Sequence, residues 1–260
     1  MNSFAKEFRE VEAAVRALPR AKRPEIWQGK NYVGAGESKL EFLDLTVPIL
    51  DRRLKKGFSF SNRPLAEQWR IWDQIWRHSS IFEVLVSAFA FADGHPVEAL
   101  TPYRKTLLGW VERSDNWANS DGLSSLYARL LEHDRKTILP TLEKWAASKN
   151  PWKRRQSLVA LLYYSRGRDP KRVLPYSKLI AFVDRQIADP HYFVQKGVGW
   201  TIREIYNLYP KETVAWLGKN ITRIAPPAWQ AATEKLPAEI KARLKTVRQE
   251  ADRGKNKKSS

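Results

Sequence analysis

The chain contains no cysteine. That absence removes disulfides, thiolate metal sites and cysteine nucleophiles together. Histidine is scarce too. His78, His95, His133 and His191 are its only copies, and they lack ligand spacing. We therefore expect no metal site and no cofactor, and read all four as surface or local hydrogen-bonding residues. Long apolar runs are missing as well. The longest, Val84 to Ala92, falls far short of the roughly 20 residues that a membrane helix needs. Met1 to Glu7 carries charges where a secretory signal needs an apolar core, which predicts a cytosolic protein. Sustained period-two alternation with hairpin turns is also absent, so essentially no sheet is expected.

What the chain has in excess is positive charge. Its 260 residues include 46 basic and 28 acidic side chains, a formal net charge of +18. Eight basic and two acidic residues lie in 241–260, so the body still keeps +12. A body that stays this basic points to a polyanionic partner, with nucleic acid the leading candidate. Hydrophobic content of 43% marks a globular chain with ample length for a core.

Helical periodicity runs through nearly the whole sequence. Phe4, Phe8, Val11, Val15 and Leu18 predict a first helix over 3–18, with Ser3 as its cap. Pro24, Gly29, Gly34 and Gly36 make 19–36 mostly connector, and 40–48 leads into a basic helix over 49–56. Pro64 opens a helix with Trp69, Trp72 and Trp76 on one stripe, which reads as core. An almost wholly apolar helix over 80–92 follows. Beyond it, paired helices alternate with breaks near Pro102, Pro140, Pro151, Pro170, Pro175, Pro190, Pro210 and Pro226.

Similar helix starts recur at Trp117 to Asp121, Trp152 to Arg155 and Tyr192 to Lys196. Asp121 and Arg155 are 34 residues apart, and Arg155 and Lys196 are 41 apart. Irregular spacing near 40 suits HEAT-like helix pairs. The expected fold is all-α: a single curved solenoid over 1–251, with a concave groove formed by one helix of each pair. The last helix should run from Ala238 to Ala251, and 252–260 should form a basic disordered tail.

Three of these helices carry side chains that a core does not require. On a helix beginning near Asn116, Leu123, Leu126 and Leu130 form the buried stripe, while Trp117 and Asp121 lie one turn apart on another face. Either the helix dipole favours an N-terminal Asp beside a half-buried Trp, or the pair does chemistry. Over 192–206, Val194, Val198, Ile202 and Ile205 face one way, and Lys196, Trp200 and Arg203 the other. Gly197 and Gly199 cost that helix roughly 1 kcal/mol each, which fits close approach of a ligand or a tightly packed helix. At 150–155, Asn150 and Pro151 open a helix bearing Trp152, Lys153, Arg154 and Arg155. Trp152 lies nearly in line with Arg155, Val159 and Leu162, which leaves both core and surface readings open.

Together these segments resemble the AlkD-type alkylpurine DNA glycosylases, a family of HEAT-like repeat proteins. Residues 193–204, Phe-Val-Gln-Lys-Gly-Val-Gly-Trp-Thr-Ile-Arg-Glu, are nearly the family's signature helix. Trp117 to Asp121 matches its Trp-x-x-x-Asp element, and Trp152 to Arg155 its Trp-x-x-Arg element. The resemblance is diffuse from about Tyr32 and specific from about Ser114 to Gly218. It implies Asp121 as the catalytic carboxylate, Trp117 and Trp200 as aromatic walls, and Arg155 as the residue gripping the DNA backbone. Trp152, Arg154, Lys196 and Arg203 would complete the DNA-binding surface. Two departures stand out. Ala118 occupies a position that is often aromatic in the family, and Ala228-Trp229-Gln230 stands where relatives can carry a hydroxyl and basic residues.

The activity implied is monofunctional hydrolysis of the N-glycosidic bond of cationic N3- or N7-alkylated purines in duplex DNA, by a monomer, at the nucleoid. Alkylation makes the purine a cationic leaving group, so no general acid is required. Its departure builds oxocarbenium character, which a fixed carboxylate and two indole faces stabilise. The family resembles a clamp on backbone and sugar, without a deep base-flipping pocket. The alternative on the same scaffold is a non-catalytic binder of damaged or branched DNA. A protein-interaction adaptor would instead call for an apolar or acidic groove.

Overall fold

The computed structural model describes residues 4–165, 168–169 and 171–256. The expected Ser3 cap, the Pro170 break and the end of the tail at 257–260 lie outside them. The regular elements among the described residues are helices, with one isolated parallel bridge, Glu41 to Ile81. No helix among them is long and apolar enough to cross a membrane. Two compact units divide the chain, 1–126 and 127–260, and the division falls inside a helix.

The first unit opens with α1 (Ala5–Arg16), α2 (Gly29–Tyr32) and α3 (Val47–Leu54). It continues with α4 (Leu65–His78), α5 (Phe82–Asp93), α6 (Val97–Leu100) and α7 (Arg104–Gly109), and with the start of α8 (Trp117–His133). Trp69, Trp72 and Trp76 on α4 are all buried, as their stripe predicts. Trp76 stacks on Trp110 with centroids 4.7 Å apart, and the Trp76 Nε1–H donates to the Trp110 carbonyl. Trp69 lies against Tyr103, and Trp72 against Phe58, Phe60 and Phe91. The indole N–H of Trp110 reaches Asp73 at 2.8 Å.

A buried carboxylate organises the approach to α3. Both oxygens of Glu83 accept from the Leu43 N–H, and Leu45 donates at 3.3 Å. Between them Asp44 takes φ +55°, a left-handed conformation that Asp tolerates better than most residues. Burial pushes the Glu83 carboxyl above the usual range, against the lowering effect of those backbone donors.

The second unit contains the end of α8, then α9 (Arg135–Ala146), α10 (Pro151–Val159), α11 (Tyr176–Gln186) and α12 (Tyr192–Leu208). It closes with α13 (Pro210–Lys219), α14 (Pro226–Thr233) and α15 (Ala238–Asn256). Helix α12 packs against α10, α11, α13 and α14. Its Val194, Val198, Ile202 and Ile205 are wholly buried.

Three local expectations change. The segment read mostly as connector contains α2 and a 3-10 turn over Glu25–Trp27. Pro140 interrupts nothing, since it lies inside α9, whose N-terminus is capped by Asp134. Helix α15 runs past Ala251 to Asn256, so no break occurs at residue 252. Charged straight-chain residues such as Arg248 and Glu250 are good helix formers and carry it on.

The two glycines of α12 have different causes. A Cβ at Gly199 would lie 2.3 Å from the Ala228 carbonyl oxygen and 2.7 Å from the Ala231 Cβ. At Gly197 the nearest atom would be Cγ of Arg155, at 3.3 Å. Gly199→Ala gains about 1 kcal/mol of helix propensity but overpacks rigid backbone, at about 1–3 kcal/mol or more. A net loss of stability is expected for Gly199→Ala and a smaller change for Gly197→Ala. Urea denaturation midpoints of the two variants test this, and equal midpoints would refute it.

Candidate nucleic-acid interface

The start of α8 is fixed from outside the helix. Asn116 Oδ1 accepts from the Asn119 N–H at 2.9 Å, an N-cap bond. Next to it, Asp115 accepts from the Ser38 hydroxyl and the Lys39 N–H, both at 2.8 Å. This ties residues 38–39 to the helix entrance. Trp117 is then held by Tyr32: its Nε1–H donates to the Tyr32 carbonyl at 3.0 Å, and the rings meet edge-to-face at 5.5 Å. Trp27 lies 5.0 Å beyond Tyr32. Trp27 and Tyr32 are each about half exposed, at 49% and 48%. Asp121 follows one turn after Trp117, and both side chains are partly exposed. Leu123, Leu126 and Leu130 are buried on the far side.

In the second unit, Trp200 is enclosed by aromatic and cationic groups. Tyr163 stacks on it at 5.9 Å with planes 13° apart, and Tyr164 meets it edge-on at 5.5 Å. The Arg203 guanidinium lies 4.6 Å from its ring centroid and pairs with Glu234 at 2.7 Å. Desolvated cation–π contacts of this kind contribute up to about 2 kcal/mol. Tyr164 is 56% exposed and has φ +50°. Non-glycine residues held there are strained, and such strain clusters at functional sites. The Trp200 Nε1–H is buried without a partner among the described residues.

The remaining candidates are integrated into the packing of α10 and α12. Trp152 resolves to the core at 8% exposure and stacks on Phe193 at 5.2 Å. Asn150 caps α10 through the Trp152 N–H. Arg154 grips Asp189 through Nε and Nη2, at 2.5 and 3.1 Å, and donates to the Ser148 and Lys149 carbonyls. Arg155, expected to reach outward, is 4% exposed and donates to the Phe193 carbonyl at 2.8 Å. Absence of a side chain at Gly197 makes room for it. Arg203 is 8% exposed, while Lys196 is only partly buried. No group of three or more His, Asp or Glu side chains among the described residues could hold a metal.

Sequence reasoning missed Trp27, Tyr32, Tyr163 and Tyr164. For the first two, the available signal was a pair of aromatics in an otherwise Gly- and Pro-punctuated stretch. The left-handed backbone of Tyr164 left no mark in the sequence.

A model of the DNA alkylation repair enzyme family matches residues 17–236. The chain belongs to this family. A solved structure described as a predicted DNA alkylation repair enzyme from Enterococcus faecalis is 16% identical, with a TM-score of 0.63. That match covers 85% of this chain and 100% of the other. AlkD2 from Streptococcus mutans is 16% identical with a TM-score of 0.53, over 79% of this chain and 96% of its own. The smu.31 structure from Streptococcus mutans UA159 gives 17% and 0.51, over 72% and 91%. At these identities the likeness is one of fold. No curated protein sequence matches the chain. The family assignment implies DNA binding, which agrees with the net charge of +18.

Its buried setting gives Arg155 a structural load. Arg155→Ala removes a charged hydrogen bond between α10 and α12, and such bonds contribute about 1.5–3 kcal/mol. A loss of stability of that size in chemical denaturation is expected, and an unchanged midpoint would contradict this role.

Proposed function

We propose that this protein is a monofunctional DNA glycosylase that releases cationic N3- or N7-alkylated purines from duplex DNA. The observation that carries the reading is the Trp117–Asp121 pair, a carboxylate one helical turn from an indole pinned by Tyr32. Most tryptophans are placed by the core, but Trp117 is held at a partly exposed position by a dedicated partner. Preorganisation of this kind suits a group that must stabilise charge without moving.

The chemistry follows from the substrate. In an N7-alkylguanine the ring already carries positive charge. As the bond from C1′ to N9 breaks, its electron pair passes to the ring, which leaves neutral. The sugar becomes oxocarbenium-like, and water adds at C1′ and gives up a proton to solvent. Asp121 would stabilise the sugar cation and orient that water. Trp117 and Trp200 would supply quadrupole faces to cationic groups. Lys196 would hold a phosphate. Arg154, Arg155 and Arg203 support the elements that present these groups, and no cofactor or metal is required.

Asp121→Asn keeps shape and removes charge that matters only in the transition state, so rate should fall rather than affinity. Under single-turnover conditions with N7-methylguanine DNA, base release should slow on the order of 10²-fold, as when one preorganised electrostatic group is lost. Trp117→Ala and Trp200→Ala should each slow it less. Wild-type release by Asp121→Asn would end the proposal. Tight binding by a wild type that releases no base would establish the non-catalytic binder instead.

Binding has its own test. Each neutralised phosphate adds about −0.9 to the slope of log K against log salt. Lys196→Ala should flatten that slope by roughly one phosphate with its melting temperature unchanged. An unaltered slope would remove Lys196 from the interface.

A further inference from the structure

Helix α8 presents a second surface beside the one that bears Trp117 and Asp121. Ala118 and Gly122 lie about 60° and 100° around the helix from Asp121, and Asn119 lies beyond them. All three line a cavity of about 250 Å³ within the first unit. Its buried floor is Leu45, Leu50, Trp76, Glu83 and Asn119. Val47, 70% exposed, stands at the rim, and Phe82 and Phe89 add aromatic walls. The small side chains at 118 and 122 keep the cavity open on the α8 side.

Two polar groups in this apolar space point to a ligand. Asn119 is 4% exposed, and its Nδ2 is buried without a hydrogen-bond partner among the described residues. An unpaired buried donor is costly, and a bound acceptor would relieve it. The Glu83 oxygens accept from the Leu43 and Leu45 N–H groups, but a carboxylate offers about four acceptor positions, so capacity remains. The cavity can therefore donate through Asn119 and accept through Glu83 between aromatic walls, with Thr46 adding a hydroxyl to the lining. Its volume lies below the roughly 300–1,000 Å³ typical of drug-sized ligands. No Lys, Arg or His side chain lines it, so a phosphate finds no partner there.

A small planar heterocycle with donor and acceptor groups, but without its sugar phosphate, meets all of these conditions. We propose that the cavity binds the free alkylated purine after it has left the sugar, with Asn119 donating to a ring acceptor and Glu83 accepting from a ring N–H. The choice of a purine rests on the glycosylase reading; the cavity and its unpaired donor do not.

The test is calorimetric titration of the full-length protein with free 7-methylguanine and, separately, with guanosine monophosphate. Saturable one-to-one binding of the base is expected, with the nucleotide at least tenfold weaker. Asn119→Leu removes the donor and should weaken base binding at least tenfold. Ala118→Phe should fill the cavity and abolish binding, provided that circular dichroism and the melting temperature stay those of wild type. No saturable binding of the base to wild type, equal binding of base and nucleotide, or wild-type affinity in Asn119→Leu would each overturn the assignment. Base release from alkylated DNA is measured separately. Free-base binding without release would fail the glycosylase reading alone, and release without free-base binding would fail the cavity alone.

Discussion

The second unit depends on one steric fact: the carbonyl oxygen of Ala228 occupies the space where residue 199 would carry a Cβ. Helix α12 must therefore have glycine there, at a cost of roughly 1 kcal/mol in propensity. The return is a helix packed by neighbours along most of its surface, with Val194, Val198, Ile202 and Ile205 fully buried. Two positions before, Gly197 admits the Arg155 side chain, whose guanidinium then reaches the Phe193 carbonyl. Rigidity in α12 fixes Trp200, which is clasped further by Tyr163, Tyr164 and Arg203. The tight packing of its glycines and valines leaves little freedom for Trp200, which directly follows Gly199.

The first unit reaches a similar end by another route. There the helix entrance is set by polar bonds, with Asn116 capping α8 and Asp115 holding residues 38 and 39. Trp117 then gains one hydrogen bond and one ring contact from Tyr32. The contrast with Trp69, Trp76 and Trp110 is instructive. Those indoles are all buried, Trp76 and Trp110 with N–H donors satisfied by the Trp110 carbonyl and Asp73, whereas Trp117 is hydrogen-bonded while partly exposed. A side chain held without being buried keeps part of its surface open to solvent.

Local rules made much of this legible in the sequence. The stripe through Leu123, Leu126 and Leu130, the apolar side of α12, the start of α8 near Asn116 and the cap Asn150 follow from period and side-chain chemistry within a few residues. The family resemblance located Trp117, Asp121 and Trp200 on their helices. What stayed hidden depends on distant partners. Tyr32 meets Trp117 across 85 residues, and the pair of aromatics in its Gly- and Pro-punctuated segment carries no hint of so distant a partner. Arg155 lies on its helix as expected, but its burial depends on the missing side chain at Gly197, on another helix 42 residues further along the chain. Period-based reading gives a direction around one helix and is silent about the depth of its neighbour. The continuation of α15 past Ala251 was hidden for a different reason: a charged composition suits a solvated helix as well as a tail.

The arginines add a constraint on how net charge should be read. Arg16, Arg63, Arg77, Arg154, Arg168 and Arg203 each hold a carboxylate within their own unit. Such pairs contribute no net charge, so the excess of +18 resides on other cations. The planar fork of arginine suits fixed bonds to carboxylates and carbonyls, as at Arg154, while lysine acts as a solvated point charge. A basic motif such as Lys153-Arg154-Arg155 is therefore not equivalent to a DNA-contacting surface. Arg154 and Arg155 within it are engaged inside the second unit, the first by Asp189 and the second by the Phe193 carbonyl of α12. Counting charge identifies the class of partner; burial and pairing decide which cations are left to meet it.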